Sequence, residues 1–213
     1  MTIIMLAAGT SSRMGKENKM LLPYKGMPLV THCCMQALEF LEDHSSQTGE
    51  ACRLIVVTGY RRQSVEKALL PCKAFIEKTP ERLEMLIVNN PDYRKGQFSS
   101  TKTGVAQTED GTPFFISLAD MPLIGRAHYA ALVPMLEGHQ AVRPFCYLGD
   151  KKVPGHPVLH SHLLKEIILQ YPDDCSVSRI LRQFDVDVYE PSFDEPSWIK
   201  DIDTIENYNA IAD

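Results

Sequence analysis

The sequence is short of several things at once, and each shortage narrows what the chain can do. No apolar stretch approaches the roughly 18 residues of a membrane span, so no membrane segment is expected. Basic residues are not in excess: 22 Lys and Arg stand against 27 Asp and Glu, a net charge of −5. No basic stripe appears either, which excludes the usual footprint of a nucleic-acid binder. The six cysteines (Cys33, Cys34, Cys52, Cys72, Cys146, Cys175) make no CxxC pair and no framework spacing. Reduced thiols in a cytoplasmic protein are the expected reading. No repeat, low-complexity stretch, Ser-His-Asp set or activated cysteine is evident. No secretory leader is read at the N-terminus, because the apolar run Thr2-Ile3-Ile4-Met5 leads straight into a loop built for another purpose. With 213 residues, one domain (1–213) with a sizeable core is expected.

That loop reads Leu6-Ala7-Ala8-Gly9-Thr10-Ser11-Ser12-Arg13-Met14-Gly15. A buried strand that empties into a small, Gly- and Ser-rich turn suits phosphates, because glycine lets backbone N–H groups approach an anion. Ala7 and Ala8 leave room for a flat ring against the main chain. Arg13 offers a fixed positive fork for phosphate oxygens, with Lys16 and Lys19 close behind. Two better-known phosphate loops are excluded. Five residues separate Gly9 from Gly15, and Lys16 is followed by Glu17, so this is not a Walker A loop. Gly9-Thr10-Ser11 breaks the dinucleotide fingerprint at once.

Strands alternate with helices along the chain. Strands are read at Thr2–Ala7, Arg53–Thr58, Met85–Val88, Pro113–Leu118, near Ala141–Tyr147 and near Val186–Tyr189. Helices are read from Pro28 to about Glu42, over Arg61–Leu70 with a stop at Pro71, over Ser99–Gln107, and over 126–137, 162–170 and 177–184. Such alternation predicts a mostly parallel sheet with helices on both faces. Ligands of such sheets bind beyond the carboxyl ends of the strands. The first loop, the Gly96 segment and Asp120 all fall at those ends.

Four further segments carry chemistry. Phe114–Leu118 ends at Asp120, a lone carboxylate at the sheet rim, the hard oxygen type that magnesium takes beside substrate phosphates. The plainer alternative is that Asp120 caps the helix after Pro122 or ends the strand. In Asp201-Ile202-Asp203-Thr204-Ile205-Glu206, Asp203 and Glu206 have the spacing of a capping box for a final helix. Gly96-Gln97-Phe98-Ser99-Ser100-Thr101-Lys102 places serines at a helix start, where they can cap it or meet a ligand. His156 sits between Gly155 and Pro157 on a constrained loop. His156, His160 and His162 match no standard zinc spacing.

The first loop, followed by Lys19-Met20-Leu21-Leu22-Pro23 and Gly26-x-Pro28-Leu29, resembles the nucleotidyltransferases that finish the molybdenum cofactor, their cytidylyltransferase branch most closely. One residue is inserted between Gly15 and Lys19 relative to that family, and alignment through Leu21-Leu22-Pro23 selects Lys19. The resemblance implies an α/β fold of three layers, Rossmann-like, with a mostly parallel central sheet. It implies transfer of CMP from CTP to the phosphate of molybdopterin, release of pyrophosphate, Mg2+ as cofactor and a molybdenum hydroxylase as client. Arg13 and Lys19 would act on the triphosphate, and Leu6, Ala7, Ala8, Gly9 and Ser11 would cradle the nucleotide. Ser99, Ser100 and Lys102 match positions that read base and ribose, and His156 in Gly155-His156-Pro157-Val158 matches the acceptor side. Asp120 and Asp203 match the metal-binding aspartates. Ala8 replaces a glycine of GTP-using relatives, which implies CTP.

The chain departs from that family at Phe98, Thr101, Ile205, Asn207 and Asp173-Asp174-Cys175-Ser176. Two other readings stay open: a nucleotidyltransferase for another phosphorylated acceptor, such as a sugar or polyol phosphate, and a non-catalytic protein that delivers cofactor to a molybdenum enzyme.

Overall fold

The apolar N-terminal run forms β1 (Thr2–Ala7), buried at every residue. Its side chains alternate between two cores, as a strand covered on both faces requires. A computed structural model describes residues 1–11, 18–78, 81–173 and 175–212. Lys16 and the expected phosphate ligand Arg13 lie outside the described residues.

The other strands of the main sheet are β4 (Cys52–Thr58), β5 (Leu83–Asn89), β6 (Phe114–Leu118), β7 (Ala141–Val142), β10 (Val158–His160) and β11 (Val188–Tyr189). The order across the sheet is β11-β7-β10-β6-β1-β4-β5. β1 pairs in parallel with both β4 and β6, and β4 with β5. β10 runs antiparallel to its two neighbours, β6 and β7. The sheet is therefore mixed but mostly parallel.

Helices cover both faces. Ile3, Met5 and Ala7 of β1 share a core with Val30, Cys34, Leu38 and Leu41 of α1 (Leu29–Thr48) and Tyr129 and Leu132 of α5 (Arg126–Leu132). Ile4 and Leu6 share the opposite core with Phe98 and Val105 of α4 (Gln97–Val105), Leu164 and Ile168 of α6 (Leu164–Gln170) and Ile180 and Leu181 of α7 (Val177–Gln183). The three-layer α/β architecture expected from the alternation is present. Among the described residues no helix is long and apolar enough to cross a membrane.

Several boundaries differ from the sequence reading. α1 continues to Thr48, where Gly49 at φ 77° ends it, so the polar surface of its last two turns had hidden its length. Pro71 does not end a helix. It sits in the first turn of α3 (Leu70–Ile76), just after α2 (Arg62–Ala68), where its missing N–H costs nothing. The strand expected over Ala141–Tyr147 splits. β7 stays in the main sheet, while β8 (Phe145–Leu148) leaves it to form a hairpin with β9 (Lys151–Pro154). Pro144 between them cannot donate to a ladder. A two-residue pair, β2 (Pro23–Tyr24) with β3 (Met27–Pro28), and the final helix α8 (Ile205–Ala212) complete the set named here.

β10 carries His160, fully buried and stacked on Phe114 with ring centroids 5.2 Å apart. Burial pushes its pKa down to about 3, so the folded protein keeps the ring neutral. In the unfolded chain the ring protonates below about 6.5. Its contribution to stability is therefore complete above that pH and is lost as the pH falls towards 3, at about 1.4 kcal/mol per unit. Melting temperatures measured from pH 7 down to pH 5 should fall, with a shallower slope in His160→Leu. An unchanged slope in that variant would remove His160 as the cause.

Candidate active site

Beyond Ala7 the chain turns through Gly9 and Thr10 to Ser11, whose φ of 53° is a left-handed conformation that serine adopts only when the surroundings hold it. Ser11 Oγ accepts the Lys19 N–H at 3.1 Å and donates to Asn18 Oδ1 at 3.5 Å. Asn18 Oδ1 in turn accepts the Met20 N–H at 3.0 Å. These bonds fix the start of a short 3-10 turn, Lys19–Leu21, and aim the Lys19 side chain inward.

The Lys19 ammonium lies 2.5 Å from Asp120 Oδ2, 3.1 Å from Asp203 Oδ1 and 3.0 Å from the Ile202 carbonyl oxygen. Burial alone would lower its pKa, but Asp120 and then Asp203 outweigh burial and raise it above the usual lysine value. Asp120 stands just past the end of β6. Its carbonyl accepts the Ile202 N–H at 2.9 Å, which ties the C-terminal segment beside it. Ile202 is buried with Tyr24 and Leu29, and Tyr208 of α8 packs against this small core.

Asp120, Asp201 and Asp203 each offer an oxygen within 4.8 Å of the others. Asp120 Oδ1 is buried and has no hydrogen-bond partner among the described residues. Burial, then Asp203 and Asp120, push the Asp201 carboxyl up in pKa, as expected where negative groups crowd. Hard oxygen donors and an orphaned carboxylate oxygen are what Mg2+ or a similar cation needs, so these residues fit one.

These groups line a cleft of about 740 Å³. Leu6, Ala8, Gly9, Ser11, Lys19, Ser100, Asp120 and Asp203, all read from sequence, face it. Three other expected positions do not. Ala7 points into the α1 core, because strand alternation sends it away from Leu6 and Ala8. Ser99 is spent within the loop: its hydroxyl accepts from Asn90 Nδ2 at 2.9 Å and donates to the Gly96 carbonyl at 2.8 Å. Lys102 points to the far side of α4, where its ammonium meets the Tyr171 carbonyl at 2.7 Å and Asp173 Oδ1 at 3.1 Å. Ser100 also accepts from Asn90 Nδ2, at 2.9 Å, yet has no acceptor for its own proton among the described residues.

Asp203 does not cap α8. Thr204 does, exchanging bonds of 3.2 Å with Asn207, while the Asp203 carboxylate meets the Lys19 ammonium. Asp201, Tyr93, Arg94 and Gln97 also line the cleft and were not foreseen. The Asp-x-Asp spacing was the available signal for Asp201, since residues two apart share one side of an extended segment.

A second pocket of about 310 Å³ adjoins the first, and Gly96 and Gln97 line both. Its walls include Phe98, Ile116 and Val158, with His156 and Arg143 among the polar groups. The His156 N–H donates to the Trp198 carbonyl at 2.8 Å, and the Gly155 N–H to the Pro144 carbonyl at 2.8 Å. Burial lowers the His156 pKa and keeps its ring neutral. Glu190 Oε1 accepts from Arg143 Nε at 3.0 Å and Nη2 at 2.5 Å, a forked pair.

Comparison with known sequences decides the family, because residues 3–188 match the MobA-like NTP transferase domain. The chain belongs to that family. This nucleotidyltransferase is 28% identical over 207 residues to the molybdenum cofactor cytidylyltransferase of Escherichia coli (strain K12), covering 96% of this chain and 92% of that one. It is also 28% identical over 215 residues to the nicotine blue oxidoreductase of Paenarthrobacter nicotinovorans, covering 96% and 93%. A solved nucleotidyl transferase from Methanothermobacter thermautotroptrophicus superposes with a TM-score of 0.69 at 19% identity, over 99% of this chain and 95% of that one. That likeness establishes the shared fold.

Proposed function

We propose that this MobA-like transferase moves CMP from CTP to the phosphate of a molybdopterin-type acceptor and releases pyrophosphate. The observation that carries the reading is the pair of adjoining pockets. A polar cleft with the phosphate-type loop, Lys19 and three carboxylates opens along Gly96 and Gln97 into a more apolar pocket holding His156. The first suits a nucleoside triphosphate and the second a flat acceptor. Similarity to the E. coli cytidylyltransferase over nearly the whole chain adds support.

Asp120, Asp201 and Asp203 would hold Mg2+, which when bound supplies positive charge against the phosphates and the departing pyrophosphate. The chain's own residues bind and orient. The loop from Ala8 to Ser11 walls the phosphate end, and Lys19 supplies a cation to it. Ser100 offers its free hydroxyl proton to ribose or base. An attacking phosphate monoester is already mostly deprotonated near neutral pH, its second pKa being about 6. The site consequently needs no general base, and neutral His156 serves contact and not proton transfer. Positioning and charge compensation carry the rate, as in phosphoryl transfer generally.

Calorimetry with CTP, GTP, UTP and ATP in the presence of Mg2+, followed by pyrophosphate release with molybdopterin, tests the reading. A CTP preference and release only with molybdopterin are expected. Equal weak binding of all four nucleotides, with no release, would overturn it and favour a delivery protein. A second acceptor class, a sugar or polyol phosphate, draws support from the acceptor side, where Asp173 and Cys175 depart from the family pattern and Asp173 holds Lys102. Release with such a phosphate but not with molybdopterin would select it.

Ala8 gives this site its preference for a pyrimidine. Its Cβ lies on the cleft wall beside Gly59, where an added Cβ would come within 2.9 Å of it and 2.8 Å of Tyr93 Cβ. The wall is already close-packed, so a methyl there takes space from the base. Ala8→Gly should raise GTP affinity relative to CTP on the order of tenfold, the scale of one methyl in a pocket. An unaltered CTP/GTP ratio in competition binding would remove Ala8 from the base site.

A further inference from the structure

We propose that Lys19 is a resident counter-cation for the carboxylates, and that its ammonium has to leave them before a divalent ion is held, so metal and nucleotide enter together. The inference rests on the metal-assisted nucleotidyl transfer proposed above and goes beyond it by assigning Lys19 an ordering role.

Proton counting supports it. An ammonium has three N–H donors and no acceptor. Lys19 meets three acceptors, Asp120 Oδ2, Asp203 Oδ1 and the Ile202 carbonyl, at 2.5, 3.1 and 3.0 Å. It has no donor left for a phosphate. Contact with a triphosphate therefore breaks at least one of these bonds. Conversely, a divalent ion bound to Asp120 and Asp203 at about 2.1 Å per oxygen would take the same oxygens and sit against the ammonium.

The residue is 8% exposed, so its charge is poorly screened and two cations in that space repel strongly. Triphosphate relieves both conflicts: it accepts the ammonium and brings the metal. The long, flexible lysine stem allows the move without displacing the 3-10 turn that Ser11 and Asn18 hold. By linkage, nucleotide must strengthen metal binding by the same factor as metal strengthens nucleotide binding.

Mn2+ titrations followed by electron paramagnetic resonance, without nucleotide, provide the test. Lys19→Met should bind Mn2+ at least about tenfold more tightly than the wild type, within the usual range of coupling between sites. Lys19→Arg, which keeps a cation, should stay near the wild type. If Lys19→Met does not fold by circular dichroism, Lys19→Gln replaces it with the same expectation. Addition of CTP should tighten Mn2+ binding in the wild type and leave little gain in Lys19→Met. Equal Mn2+ affinity in wild type and Lys19→Met, both binding well, would overturn the ordering role and leave the transferase reading intact. No Mn2+ binding by any form, with or without CTP, would overturn both.

Discussion

Asp120→Asn should lower pyrophosphate release on the order of 10²–10³-fold, the cost of removing one preorganised charge-compensating group from an active site. The two oxygens of Asp120 do different things. Oδ2 takes the Lys19 ammonium at 2.5 Å, and Oδ1 is buried without a partner. Asparagine has nearly the same shape but no charge, and one of its two heads donates. It can keep either the Lys19 contact or an acceptor at the second position, and it cannot neutralise a cation. The fold should survive, because Asp203 and the Ile202 carbonyl still hold Lys19 and the Ile202 N–H still reaches the residue 120 carbonyl. A stability loss of about 1–3 kcal/mol is expected for the weakened buried donor. Steady-state release assays with thermal melts check both halves. A folded variant that keeps a tenth or more of the activity would take Asp120 out of the reacting site.

Gly155→Ala should raise the KM for the acceptor about tenfold or more while CTP binding stays within about twofold, because small displacements of a positioned group carry large rate costs. A Cβ at residue 155 would press on the Trp198 carbonyl, reaching its carbon at 3.1 Å and the Trp198 Cβ at 3.3 Å. The obstacle is backbone, so no side-chain rotation clears it. The loop has to move, and the His156 N–H bond to Trp198 and the Gly155 N–H bond to Pro144, both 2.8 Å, are the links that give. His156 then leaves the acceptor pocket. Lys19, Ala8 and Asp120 line the other cleft, which explains why nucleotide affinity is expected to hold. Unchanged acceptor kinetics in a folded Gly155→Ala protein would separate His156 from acceptor binding.

How far these features could be read from sequence depended on how local their causes were. β1 was legible because an unbroken apolar run must be buried on both faces, and the small residues after it announce a turn. β10 was not: three residues between Pro157 and Ser161 are too few to show a period, and its place in the sheet comes from β6 and β7. The two serines of α4 carried the same local signal, and only the helical rotation between neighbours decides that Ser100 meets the cleft while Ser99 closes the loop. At the C-terminus two capping patterns, Asp203 with Glu206 and Thr204 with Asn207, satisfy the same local rule one residue apart. The choice falls to Thr204 because Lys19, 184 residues away in sequence, takes the Asp203 carboxylate. Lys102 looked like a nucleotide contact for the converse reason: the groups that bind it, Tyr171 and Asp173, come from a distant segment.

The small core of Tyr24, Leu29 and Ile202, closed by the Tyr208 Oη bond of 2.5 Å to the Pro23 carbonyl, has a consequence for protein synthesis. β1, β4, β5, β6, β7 and β10, six of the seven main-sheet strands, lie within the first 160 residues. They can leave the ribosome, pair and bury their faces while Asp201 and Asp203 are still inside the exit tunnel. Domains assemble as units during translation, and long-range contacts close last. A nascent chain of this protein thus acquires its architecture first and its chemistry at the end, when the final segment docks against the β2–β3 pair and closes the carboxylate set around Lys19.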